Sequence, residues 1–369
     1  MKPKILAHYL PQFYPIKENN EWFGVGFTEW TNVGKTRPLF KGHDQPRVPA
    51  DLGYYDLRLP EVREAQAQLA REAGVDAFLY YHYWFGNGKV LLDMPLKEVI
   101  RLRKPDFPFC VCWANHDWQR KNWDAKAGIL NKEMLMPQLY PGKQDIIDHF
   151  NFLLPAFKDE RYYKIHGRLV FVVYSPEEVP NVKEMMDIWN DLANREGLPG
   201  FYYIGYSYHE DVLEKEPYTL FDANSLCLLH KPISFASTSS RIGIFQRRIK
   251  TVMAELLKRP MDLYNYKDLY HHFISDKFKE SKVFPVLVPN WDVTPRRGAG
   301  AYILHDAKPE YFQRFAEKVF ELIKDKEDED KVVILKSWNE WGEGNYMEPD
   351  LTYGKGYIEA LYRALLKYQ

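Results

Sequence analysis

Eight short apolar runs punctuate this chain, and most are followed by a stretch whose apolar residues recur at three- and four-residue spacing. The runs are KILAHYL near residue 5, VDAFLYYHYWF near 78, PFCVCWAN near 111, RLVFVVYS near 171, GFYYIGYS near 203, FDANSLCLL near 225, VFPVLVPNWD near 286 and KVVILKSWNE near 335. Most are continuously apolar rather than alternating, the pattern of a parallel strand covered on both faces. Between them, LPEVREAQAQLAREAG and VKEMMDIWNDLANREG read as amphipathic helices stopped by Gly74 and Gly197. KPEYFQRFAEKVFELIKDK and GYIEALYRALLKY read as two more. Strand and helix alternate eight times with no break in composition. This predicts an α/β fold, a single (β/α)8 TIM barrel over residues 1–369. Its connections after strands one and three are long, at about residues 11–60 and 113–142, and loops of that length are usually functional. An open doubly wound sheet is the runner-up. It favours a glycine-rich phosphate loop after an early strand, and the sequence holds neither GxGxxG nor GxxxxGKS/T.

Composition changes this picture in one respect. Aromatic residues reach 16%, with 10 Trp and 26 Tyr, and such side chains offer a flat apolar face with a polar handle. The excess suits a protein that grips flat, hydroxylated ligands, or equally an aromatic core. The net charge of -1 removes any global pull toward nucleic acid or an anionic membrane, so neither partner is expected. The basic stretch FQRRIKTVMAELLKR, Phe245 to Arg259, reads as a surface helix. Three cysteines, Cys110, Cys112 and Cys227, give no disulfide framework. The opening MKPKILAHYLPQFYP turns polar after a few apolar residues. It reads as neither signal peptide nor membrane span, so a cytoplasmic location is the expectation. The oligomeric state is not legible.

In a barrel, chemistry gathers where the strands end. Strand one ends in His8, Tyr9 and Gln12, and strand two in Tyr81, His82, Tyr83 and Trp84. Strand three ends in Trp113, Asn115, His116, Asp117 and Trp118, strand four in Tyr174, and strand five in Tyr206 and Tyr208. Strand seven ends in Asn290, Trp291, Asp292 and Arg296, and strand eight in Trp338, Asn339, Glu340 and Glu343. Glu29 and Trp30, with Arg37, are expected to fold over the barrel mouth as one wall. Aromatic platforms hold the apolar faces of a pyranose, and Asn, His, Asp and Arg satisfy its hydroxyls. Glu340 and Glu343, three apart and set among glycines, can converge as a catalytic acid and base. His8, His82, His116, Asp117 and Asp292 are possible metal ligands by type, but none stands in HxH or HExxH spacing, and no metal or cofactor is expected. The D-x-D at Asp328 and Asp330 lies in a charge run that reads as a solvated loop.

Four segments carry a resemblance. HYLPQFYPIKENNEWFGVGFTEWTNV, YYHYWF, CWANHDW and SWNEWGEGNYMEP resemble the WbsX-type proteins of polysaccharide loci, often named glycosyltransferases. Those in turn are similar to glycoside hydrolase family 99, the endo-α-1,2-mannosidases and mannanases. The resemblance implies a retaining glycosidase in which the sugar's own 2-hydroxyl is the nucleophile. Glu340 matches the base that deprotonates it, and Glu343 the acid that protonates the leaving oxygen. His116 departs from the pattern, which more often has an acidic residue there. A glycosyltransferase of surface-polysaccharide assembly and a non-catalytic glycan-binding barrel are the alternatives.

Overall fold

The computed structural model describes residues 2–124, 129–231, 252–254 and 256–368, with the backbone alone at 121–124 and 129–132. Of the basic stretch from Phe245 to Arg259, residues 245–251 and 255 lie outside the described residues. Eight parallel strands close a barrel: β1 (Lys4–Tyr9), β2 (Ala77–Trp84), β3 (Phe109–Trp113), β4 (Arg168–Val173), β5 (Phe201–Ser207), β6 (Ala223–Leu226), β7 (Val283–Leu287) and β8 (Val332–Leu335). Each pairs with the next, and β8 returns to β1 through the register Ala7↔Leu335. The strands are largely apolar because both faces are covered, one by the barrel interior and one by helices.

Those helices are α1 (Pro60–Ala73), α2 (Met94–Leu102), α3 (Lys143–Phe157), α4 (Val182–Arg195), α5 (Pro309–Ile323) and α6 (Gly356–Leu366). Helix α5 shows why they dock. Phe312, Phe315, Ala316, Val319, Phe320 and Ile323 form one stripe at helical spacing, and all six are buried. Each large side chain in such a stripe contributes about 1.5–3 kcal/mol on leaving water. Helix α6 packs on both α5 and α1, joining the last helix to the first. Under α3 and α4, Trp189 packs against Phe150, Phe157, Phe171 and Phe201, so much of the aromatic excess is core.

The two long connections differ from the expected loops. The first carries short helices at Lys17–Phe23 and Glu29–Lys35. The second is mainly an antiparallel pair, Trp118–Asp124 with Ile129–Met136. Among the described residues no helix is long and apolar enough to cross a membrane.

Candidate active site

The segment that leaves β8 is strapped to the end of β1. The Trp338 amide donates to the His8 carbonyl at 2.8 Å. The Asn339 side chain accepts from the Leu10 amide at 2.7 Å and donates to the Leu10 carbonyl at 3.0 Å. Asn339–Glu340 then pairs antiparallel with Asn345–Tyr346, with a tight 3-10 turn over Trp341–Glu343 between them. Trp341 stacks on Tyr346 at 3.7 Å and donates its indole N–H to Glu348 at 2.7 Å. Trp338 is fully buried against Phe78. Both tryptophans therefore anchor the turn from behind.

The glycines have separate reasons. A Cβ on Gly342 would stand 1.7 Å from Glu29 Oε2 and 2.9 Å from Arg296 Nε. Gly344 takes a positive φ of 54°, and a Cβ there would meet the Asp292 backbone and Cβ at 2.9–3.0 Å. The turn thus passes close enough to Glu29 and Asp292 to bring its two carboxylates against Arg296.

Arg296, from the short helix Thr294–Arg297 beyond β7, touches three carboxylates. Nη1 donates to Glu340 Oε1 at 3.1 Å and to Glu343 Oε1 at 2.8 Å, and Nε donates to Glu29 Oε2 at 3.1 Å. Glu29 reaches this point because its amide donates to the Gln12 carbonyl at 3.1 Å, which fixes the short helix beside the mouth. The two carboxylates of the turn are driven apart in acidity. Burial, then repulsion from Glu343, pushes the Glu340 carboxyl up to about 7 against Lys336 and Arg296. Burial also opposes the charge of Glu343, but Arg296, Lys336, Arg297 and His230 outweigh it and hold that carboxyl below its ordinary value. Below about 7 the pair therefore keeps one proton, on Glu340, while Glu343 is ionised.

Imidazole and phenol rings line the interior beside the pair. His8 stacks on Tyr81 at 4.7 Å and meets Tyr206 edge-on at 5.7 Å. Tyr174 stacks on Tyr206 at 4.8 Å, and its hydroxyl meets that of Tyr208 at 2.6 Å. Burial, then the charge of Lys336, keeps His8 well below its ordinary pKa and so neutral. Lys336 and His230 were missed in the sequence. Lys336 lies inside the eighth apolar run, KVVILKSWNE, and His230 directly after the sixth, FDANSLCLL. Tyr83, whose hydroxyl feels Glu340, and Tyr208 also face inward. His116 is exposed at the rim, 5.6 Å from Tyr174.

Other candidates point elsewhere, chiefly because neighbours on a strand face opposite sides. Tyr9, next to His8, turns outward and donates to Gln66 of α1 at 2.6 Å. His82 and Trp84 alternate with Tyr81 and Tyr83. His82 meets His149 at 3.0 Å, and Trp84 donates to Asp145 at 3.0 Å, both on α3. Trp113 donates to the Trp84 carbonyl at 2.9 Å, behind the barrel wall. Asn115 ties Ser175 and Tyr140 together, and Asp117 accepts from the Gln138 amide at the base of the hairpin. Asn290 bonds the Tyr346 backbone. Asp292 is enclosed by His43, Gln45 and Thr294. Burial resists its charge, but His43, Arg47 and those hydrogen bonds bring it down to about 2. Asn339 is the strap already described. Trp30 donates to the Tyr55 carbonyl at 2.8 Å and packs on Phe13 and Trp341, supporting the Glu29 helix from below. Arg37 bonds the carbonyls of Gly34 and Thr36.

Among the described residues no cluster of His, Cys, Asp and Glu is arranged to hold a metal. A cavity of about 260 Å³ lies between α2 and α3, lined by His82, Leu96, Lys97 and Phe152, away from the carboxylates. Lys97 and Arg101 at its edge are already paired with Asp93 and Glu98.

The architecture is shared with known enzymes. The endo-α-mannosidase of glycoside hydrolase family 99 from Bacteroides thetaiotaomicron, solved with bis-tris propane, aligns over 99% of this chain and 97% of its own, with a TM-score of 0.59 and 14% identity. A glycoside hydrolase-like protein aligns over 99% and 94%, with a TM-score of 0.57 and 13% identity. These likenesses define the class as a TIM barrel with the family 99 fold. The chain itself belongs to the glycosyltransferase WbsX family, which matches residues 5–361. It is 33% identical over 367 residues to WxcX proteins from two strains of Xanthomonas campestris pv. campestris, covering 98% of this chain. The chain spans about half, 50%, of the length of those relatives.

Proposed function

We propose that this chain is a carbohydrate-active enzyme that cleaves or transfers a glycosidic linkage of a bacterial-type polysaccharide with retention of configuration. The observation that carries the reading is the Glu340–Glu343 pair on the shared Arg296 guanidinium, with the Glu340 carboxyl pushed up to about 7 and that of Glu343 held down. In this reading Glu340 takes the proton of the substrate's 2-hydroxyl. That oxygen attacks C1, the bond from C1 to the leaving oxygen breaks, and the Glu343 proton goes to the leaving oxygen. Water or an acceptor hydroxyl then opens the 1,2-anhydro sugar, giving its proton to Glu343, while Glu340 reprotonates O2. The free enzyme keeps its proton on Glu340, so the reaction starts from the tautomer in which a bound sugar has shifted it to Glu343. Arg296 binds both carboxylates and can stabilise either charge.

The test is turnover on a panel of bacterial polysaccharides, with the anomeric configuration of the first product read by NMR. The expected result is retention, and near inertness of a 2-deoxy analogue of any substrate found. Inversion, or efficient cleavage of the 2-deoxy analogue, would overturn this route and favour activated water or an enzyme nucleophile.

The family's description as a glycosyltransferase favours a second reading. Here the barrel moves a sugar from a nucleotide donor in surface-polysaccharide assembly. Thermal stabilisation by UDP- or GDP-sugars, and not by oligosaccharides, would select it.

A further inference from the structure

Lys336 is a buried cation with a single carboxylate in reach. Its side chain is 3% exposed, and the nearest carboxylate oxygen, Glu343 Oε2, lies at 3.9 Å, beyond hydrogen-bond distance. Its ammonium instead sits 5.5 Å from the centre of the Trp291 ring. Glu343 and Glu29 both bond Arg296 directly. An ammonium held in so enclosed a place is costly, and a site that keeps one has a use for it.

Several groups around it lack partners too, Glu340 Oε2 among them. Both ring nitrogens of His8, the Tyr206 hydroxyl and the Trp291 indole N–H are buried with no hydrogen-bond partner among the described residues. The charge of Lys336 is felt by His8, Tyr81, Tyr174 and Tyr208, which places them around one volume. A neutral hydroxyl both donates and accepts, whereas a carboxylate only accepts. The Trp291 N–H and the Tyr206 O–H beside the buried ammonium match the second better.

We propose that the sugar bound at the floor of the barrel mouth carries a carboxylate, and that Lys336 is the residue that reads it. The preferred substrate is then an acidic polysaccharide containing a uronic acid. The proposal rests on the carbohydrate reading of the site and adds the class of sugar to it. Lys336 sets specificity, and itself neither gives nor takes the proton that the glutamates move.

The test is binding without turnover. Calorimetry on the chain compares methyl uronosides of gluco, manno and galacto configuration with their carboxyl-reduced hexosides. At least one uronoside is expected to bind at least about 10-fold more tightly than its reduced partner, the scale of one hydrogen bond to a charged group. Lys336→Met should abolish that preference, and Lys336→Arg should retain part of it. Equal or tighter binding of the hexoside in every pair, or no uronoside binding at millimolar concentration, overturns the proposal. So does a preference that survives in Lys336→Met. Should that variant fail to fold, the wild-type pairs still decide. Failure here leaves cleavage by the glutamate pair standing, and absence of turnover leaves the measured preference standing.

Discussion

At Gly342 the Glu29 carboxylate occupies the place of a side chain, with a Cβ position only 1.7 Å from Oε2. Gly342→Ala must push Glu29 off Arg296, and Arg296 is what holds Glu340 and Glu343 together. The expected result is a fall in kcat/KM of at least about 10-fold, the loss of a charge-assisted contact. Unchanged kinetics would show that Glu29 has no part in ordering the site. The pair itself sets the pH dependence. Catalysis needs one proton on the pair, whichever glutamate donates it. Above about 7 that proton leaves Glu340, so kcat/KM should fall as pH rises through about 7. On the acid side Glu343, held below its ordinary 4.5, must also be protonated before activity is lost, so that limb should lie below 4.5. A kcat/KM that keeps rising above pH 8 would contradict this division of charge.

At the scale of elements, the catalytic turn depends on a buried carboxyl behind it. Glu348 accepts from the Trp341 indole at 2.7 Å, the Tyr55 hydroxyl at 2.9 Å and the Gln66 amide at 2.6 Å. It thereby joins the turn to the first long connection and to α1. Glu348→Ala strands three buried donors, each costing about 1–3 kcal/mol. A loss of at least about 3 kcal/mol in unfolding free energy by urea titration is expected, and a loss below 1 kcal/mol would mean that the network relaxes. The barrel strands were legible because continuous apolar runs mark strands covered on both sides. Which side each residue faces was not. A run that is apolar on both faces shows its period but not its phase, so His8 and Tyr9, or Tyr81 and His82, looked equivalent. The structure separates them, with His8 and Tyr81 inside, and Tyr9 and His82 bonded to α1 and α3. Asn339, Asn290 and Asp292 misled for another reason. Strand-end polar residues also serve to tie loops, and a sequence does not distinguish a loop tie from a ligand contact. Lys336 went unread because a lysine after an apolar run usually marks the solvent edge, whereas this one turns into the barrel.

At the scale of the molecule, all eight strands and the Arg296 cluster lie within this chain, although its relatives are about twice as long. The chain as it stands is therefore the material for the decisive measurement. Glu340→Gln and Glu343→Gln are nearly isosteric and should both fold. On a natural glycan each should lose at least about 100-fold in kcat, the scale of a positioned acid or base. The deciding comparison is kcat/KM of the two variants on an aryl glycoside with an activated leaving group, which needs little protonation. The proposed roles predict that Glu343→Gln recovers most of the wild-type rate on that substrate and that Glu340→Gln does not. Equal recovery of both, or recovery of Glu340→Gln alone, would contradict the assignment of Glu340 as base and Glu343 as acid.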